Sequence, residues 1–427
     1  MLVNEIKSKN YRIFTHNTDK FKTTKITIYF TLKSDEKNFA KMALLSELLG
    51  NATSKYSSET EVSRQLSRMY GASFGVTVLR YGDVHTLRIN ISFPNDKYLP
   101  DNHHVVSEIM GFLDEVINHP LIGGNQFEES FFNLHKANLL NYFNSIIENR
   151  EYYATIQLQK LMFPNDINHG SFLYGTIDQL QKTTAADLFD FYQWLLKNAN
   201  IMGFIGGHID DEFVNQLDEI IPNTDHQFVK LDPFVKLPQI DKVARKEQKL
   251  EIDQTVLTMG YELPILSNDP DYYNAIVLNQ VLGGSPQSVL FNDVREDQSL
   301  AYDISSSYNS LNGTLSVSAG ILPQNQPLVE DLVAKSIEKI MNGNIDDTVI
   351  SGIKQSLIDQ RKSSADSLGA QIEKLFVKEI TNASVDDDDF IAGVKSVKKS
   401  DVVDLAKQIK LRAVFALKGN GGSDENN

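Results

Sequence analysis

At 427 residues the chain exceeds the size at which a single hydrophobic core keeps growing, so two or more domains are expected. An apolar share of 41% beside 23% charged residues is that of a globular protein with sizeable cores and excludes extensive intrinsic disorder. A net charge of -15 argues against nucleic-acid or anionic-membrane partners, and the lack of cysteine excludes disulfides, thiolate nucleophiles and thiolate-held metals.

The N-terminal stretch MLVNEIKSKNYRIF has no apolar run of signal-peptide length, and no window approaches the roughly 20 apolar residues of a membrane span. Cytoplasmic residence is the expectation. From Lys22 to Leu49, KTTKITIYFTLKSDEKNFAKMALLSELL predicts an alternating strand, a polar turn and an apolar helix with a glycine stop at Gly50. A second helix follows in ETEVSRQLSRMYGA, then alternating strands over Phe74 to Leu79 and His85 to Phe93. A long helical pattern covers about Gln126 to Leu161, and ANIMGFIG from Ala199 predicts a closing strand.

The same order then returns. Glu251 to Leu282, EIDQTVLTMGYELPILSNDPDYYNAIVLNQVL, again gives a strand, a polar Asn-Asp turn and a helix, with its glycine stop at Gly283. Strands over Tyr302 to Tyr308 and Gly313 to Ala319, a helical pattern from Thr348 to Thr381 and a closing strand over Arg412 to Lys418 complete the copy. The grouping of strands and helices indicates an α+β fold of two homologous halves, each an antiparallel sheet covered by helices on one face. The expected domains are 1–225 and 251–419, joined by a Pro-containing linker at 226–250 and followed by a disordered tail at 420–427.

Two strings carry a family resemblance. GGSPQSVLFNDVREDQSLAYDISSSY from Gly283 resembles the second-half signature of the insulinase/pitrilysin metallopeptidases, in which a Gly-rich turn, a helix ending V-R-E and L-A-Y recur in that order. NHGSFLYGTIDQLQKTTAADLFDFYQWLLKNANIMGFIGGHID from Asn168 is similar to that family's passage out of its first half. The resemblance spans nearly the whole chain and implies two halves facing each other as a clamshell.

The family's H-x-x-E-H motif places two imidazoles one helical turn apart on Zn²⁺, with the Glu taking a proton from metal-bound water. No such string occurs here. In register with that motif, counting back from Thr53 in the frame LLSELLGNATSKY, the three places hold Ala43, Ser46 and Glu47, and the segment expected to supply the distal glutamate, Lys136 to Ser145, has no acidic residue. No catalytic residue, metal ligand or cofactor is therefore expected. The resemblance also sets Arg295 and Tyr302 on the family's substrate-seating pair, with Gly284 in a peptide-contacting turn. A guanidinium can hold a carbonyl and a phenol can donate to a developing oxyanion. The bland alternative is Arg295 paired with Glu296, Tyr302 packed at a strand start and Gly283 as a simple helix stop.

Other clusters read as structural. His103, His104 and Glu108 form H-H-x-x-x-E, in which His104 and Glu108 share a helix face but lack a third ligand. His208 with Asp210, Asp211 and Glu212 suits helix capping. Asp386 to Asp389 lacks the spacing of a calcium loop. The implied function is that of a non-catalytic subunit contributing peptide-binding residues and chamber walls to a zinc-bearing homologue, as heterodimer. The alternatives are a homodimer or a stand-alone peptide- or protein-binding scaffold without proteolysis.

Overall fold

The computed structural model describes residues 4–100, 105–383 and 386–419. The first half runs β1 (Asn4–Lys7), β2 (Tyr11–Asn17), β3 (Thr23–Lys33), α1 (Phe39–Asn51), α2 (Glu59–Arg68), β4 (Ser73–Tyr81), β5 (Val84–Pro94), α3 (Val105–Asn118), α4 (Glu129–Ser145) and α5 (Arg150–Met162). It continues with short α6 (Ile167–Gly170) and α7 (Ile177–Lys182), then α8 (Ala185–Asn198), β6 (Asn200–Gly207) and α9 (Asp211–Ile220). The second half runs β7 (Ala244–Lys249), β8 (Thr255–Glu262), α10 (Tyr272–Asn279), β9 (Ala301–Asn309), β10 (Thr314–Ile321), α11 (Gln326–Met341), α12 (Asp347–Ser364), α13 (Leu368–Thr381), α14 (Asp387–Ser396), α15 (Lys399–Ala406) and β11 (Lys410–Lys418). Two π-type turns, Gln280–Gly284 and Phe291–Glu296, lie between α10 and β9.

The duplication is explicit in the strand orders. One sheet is β1-β2-β6-β3-β5-β4 and the other β7-β11-β8-β10-β9, so five strands repeat in the same sequence of neighbours. Pairing is antiparallel except for one parallel pair at the corresponding place in each, β2 with β6 (Ile13 opposite Gly203) and β11 with β7 (Val414 opposite Arg245). Strands β1, β2 and β7 escape sequence detection because their partners are remote or their faces exposed. β7, ARKEQK, falls in the stretch read as linker.

The helices separate into two contact units that do not follow the halves. The described residues within Met1–Asn144, Phe172–Pro233 and Ala365–Ile380 form one unit, and those within Ser145–Ser171, Phe234–Ser364 and Thr381–Asn427 form the other. Each half thus lends helix to the opposite unit, the second half α13 to the first unit and the first half α5 with the short α6 to the second. The long helical patterns break where this happens, at 146–149, where Asn149 caps α5 through the Tyr152 amide at 3.1 Å, and at 365–367.

This exchange corrects the expectation of sheets covered on one face. In the first unit, successive residues along β3 point to opposite sides. Ile26, Ile28 and Phe30 join α1, α3 and α8 in one core, while Tyr29 joins Phe14, Met202, Phe204 and α13 residues Leu368, Ile372 and Phe376 in another. The Phe376 ring stacks on Tyr29 at 3.8 Å between centroids. In the second unit Leu257, Met259 and Val414 face the larger core, while Val256, Phe415 and Leu417 meet α5 at Ala154. Bare glycines admit the lent helices: a Cβ on Gly206 would lie 2.6 Å from Leu368, and one on Gly260 would collide with Met162.

Gly50 and Gly283 do not act as left-handed helix stops. Gly50 stays inside α1, which ends at Asn51 with Ala52 extended. Gly283 lies in the π-type turn, where a Cβ would stand 2.8 Å from the Ser306 amide, so its role is to let β9 approach. Among the described residues no helix is long and apolar enough to cross a membrane.

Candidate functional site

In the first unit, α1 carries the three positions read in register with a zinc motif. Ala43 is buried in the core, and the Ser46 hydroxyl donates to the Ala43 carbonyl at 2.7 Å, satisfied within its own helix. Glu47 turns its half-exposed carboxylate toward α4, where Oε2 stands 3.8 Å from Nδ1 of His135. On the other side of that ring, Nε2 stands 3.7 Å from Oε1 of Glu59, the first residue of α2. His135 is 1% exposed, packs its ring 4.3 Å from Phe131, and among the described residues neither nitrogen has a hydrogen-bond partner. Both separations exceed hydrogen-bonding distance.

Tyr174 lies beside this group. Burial first, then Tyr142 and the charge of Glu47, push its phenol above the usual tyrosine range. The Tyr142 and Tyr174 rings are 5.8 Å apart.

These residues do not fit a zinc ion. Oxygen and nitrogen ligands sit about 2.0–2.2 Å from Zn²⁺, and a structural or catalytic site needs at least three protein donors around one centre. Here a methyl and a self-bonded hydroxyl replace two donors. The two carboxylates face different nitrogens of one imidazole, which can give only one nitrogen to a given ion. No group of three His, Asp or Glu side chains among the described residues is arranged to hold a metal.

The sequence reading missed His135 and Glu59. His135 has a legible signal: Phe131, Phe132 and Leu139 at helical spacing mark a buried face, so the imidazole had to lie inward. Its meeting with Glu47 and Glu59 depends on helix packing that no local pattern reveals.

The second unit holds the other expected positions. Gly284 is exposed in the first π-type turn and Arg295 is exposed in the second, and both turns pack on β9, which carries Tyr302 at 56% exposure. Arg295 rests over the Phe291 ring at 4.9 Å, and its Nε is 4.0 Å from Glu296, a loose pairing that leaves the guanidinium open to solvent. Among the described residues β9 ends its sheet, pairing with β10 alone.

The remaining clusters serve structure. Asp210 caps α9, accepting from the Phe213 amide at 2.8 Å, and His208 Nδ1 meets Asp19 at 3.2 Å. Asp386 caps α14, while Asp387 pairs with Arg361 at 2.5 Å. His103 and His104 lie outside the described residues, and Glu108 accepts from Gln65 at 3.5 Å.

A duplicated α+β fold with a peptidase helix frame and a donor set unable to hold zinc defines a non-catalytic metallopeptidase homologue. Comparisons with known proteins agree. The family described as the peptidase M16 inactive domain matches residues 182–357. The chain is 26% identical over 425 residues to the probable inactive metalloprotease YmfF of Bacillus subtilis, covering 99% of each. Its fold matches a conserved protein from Enterococcus faecalis at a TM-score of 0.93, with 30% identity over 99% of this chain and all of that one. A peptidase M16 inactive domain from Pseudomonas fluorescens shares the fold at a TM-score of 0.78, with 15% identity over 98% of this chain and 99% of its own. The chain belongs to the M16, or insulinase/pitrilysin, peptidase family as a member without the zinc motif.

Proposed function

We propose that this protein is the non-catalytic subunit of a two-chain M16 peptidase, supplying peptide-binding residues and chamber walls to a zinc-bearing homologue. The observation that carries the reading is the contrast between the units. The positions that would grip zinc are dismantled, while Gly284, Arg295 and Tyr302 remain exposed around an edge strand. A strand paired on one side only offers its free backbone groups to an extended peptide, with side chains beside it supplying selectivity. Arg295 is suited to a peptide carbonyl or carboxylate, and the Tyr302 phenol to a donor role near it.

The test is isolation of the native assembly with identification of its companion by mass spectrometry, followed by peptide hydrolysis with each chain alone and with both. The reading expects a companion carrying H-x-x-E-H, hydrolysis only in the mixture, and a loss of about tenfold or more in kcat/KM for Arg295→Ala. Peptide binding without hydrolysis in any mixture would instead support a stand-alone scaffold. Unaltered activity of the mixture after Arg295→Ala and Tyr302→Phe would remove the assigned role of that surface.

A further inference from the structure

We propose that Glu47, His135 and Glu59 form a recognition subsite for a basic side chain, lysine or arginine, of a bound peptide. The proposal rests on the peptide-binding reading and adds to it the chemistry of the peptide.

The starting point is an imbalance of partners. Glu47 and Glu59 keep 42% and 60% of their side-chain surface, and among the described residues neither carboxylate pairs with a lysine or arginine. Between them stands an imidazole whose side chain is 2% exposed and whose two nitrogens have no hydrogen-bond partner among the described residues. Burying a polar nitrogen without a partner costs on the order of 1–3 kcal/mol, so such a group needs an explanation.

Neutral imidazole carries one N–H and one lone pair. Whichever tautomer forms, one nitrogen offers a proton to its carboxylate and the other turns a lone pair toward the second carboxylate, where two acceptors oppose each other. A cationic N–H donor resolves that opposition. Placed at the half-exposed edge, it neutralises a carboxylate, gives it the hydrogen bond it lacks and relieves the opposition of acceptors at the buried ring, and a charge-assisted bond of this kind is about twice as strong as a neutral one. The Tyr174 ring near Glu47, with the Tyr142 ring 5.8 Å from it, offers aromatic surface for the stem or the charge of the same side chain. A divalent metal is a poorer occupant, because the two carboxylates address different nitrogens and share no centre.

The experiment measures binding of fluorescently labelled peptides of equal length to the full chain, in the assembly in which it is isolated, by anisotropy. One peptide carries two arginines or lysines and the other carries glutamine at those places. The variants are Glu47→Gln, Glu59→Gln, both together, His135→Asn and Arg295→Ala. Because the two carboxylates make no hydrogen bond among the described residues, the glutamine variants should keep the parent melting curve, which controls for folding.

The proposal expects the basic peptide to bind at least tenfold more tightly than the neutral one. It expects that preference to vanish in the double glutamine variant and to shrink in His135→Asn, with Arg295→Ala weakening both peptides alike. Equal binding of the two peptides, still sensitive to Arg295→Ala, would overturn the subsite and leave the peptide reading standing. A basic preference that persists in the double variant would also overturn it, by placing the selectivity elsewhere. Failure of both peptides to bind would remove the peptide reading and the subsite together.

Discussion

His85 gives the fold a specific dependence on pH. It is 1% exposed on β5, packs against the Phe39 ring at 4.6 Å, and leaves Nε2 without a hydrogen-bond partner among the described residues. Burial first, then the charge of Arg80, lower its pKa from 6.5 to about 3, opposed only by a backbone hydrogen bond at Leu173. The native ring therefore stays neutral while the ring of the unfolded chain takes a proton near pH 6.5. Between these values the unfolded state binds more protons, so the contribution of His85 is fully present above pH 6.5 and is lost progressively as pH falls toward 3. Linkage over that window gives a loss of about 2 kcal/mol between pH 7.5 and pH 5.0. The perturbation is His85→Gln, which keeps a polar amide and cannot titrate. Urea unfolding followed by hydrogen exchange at the β3 and β5 amides reads the first unit alone. The parent should lose about 2 kcal/mol more than the variant over that pH step. Parallel losses in the two proteins would refute the assignment of the proton to His85.

Three further outcomes follow from packing. Glu373 on α13 accepts from the Tyr29 phenol at 3.0 Å and from the Tyr81 phenol, with Arg88 3.6 Å away, so Glu373→Ala should cost about 2 kcal/mol by leaving two inward phenols unmet, measured by denaturant unfolding. Gly283→Ala would force a Cβ against Ser306, costing about 1–3 kcal/mol and displacing β9, so both thermal stability and peptide affinity should fall. Arg295→Ala removes an exposed side chain with only a loose ion pair and should change stability by no more than about 0.5 kcal/mol in a calorimetric melt, which separates its binding role from a structural one.

The halves and their repeat were legible because their central strands and helices obey simple periods. ITIYFTL and TVLTMGYEL alternate, and both lie where expected in β3 and β8. The exchange of α5 and α13 was hidden, since each continues a helical pattern and the segments that separate it from the helix before, 146–149 and 365–367, are only a few residues long. Only the second apolar set along the sheets, Phe14, Tyr29 and Phe204 opposite Ile13, Ile28 and Ile205, hints that both faces are covered. The lack of an H-x-x-E-H string could be read directly from the chain, and the family resemblance set Ala43 and Ser46 at its donor places. What stands beside them could not, because Glu47, Glu59 and His135 come from three helices whose meeting is set by packing.

The central claim is that this member of the family cannot hold zinc in its first half, and metal analysis tests it most directly. The full chain would be equilibrated with excess zinc, freed of loosely held ion by gel filtration and measured by mass spectrometry for metal per chain, alongside Glu47→Gln and His135→Asn. The account predicts far less than one zinc per chain, the same in all three proteins. One zinc per chain in the parent, lost in either variant and accompanied by peptide hydrolysis, would contradict it.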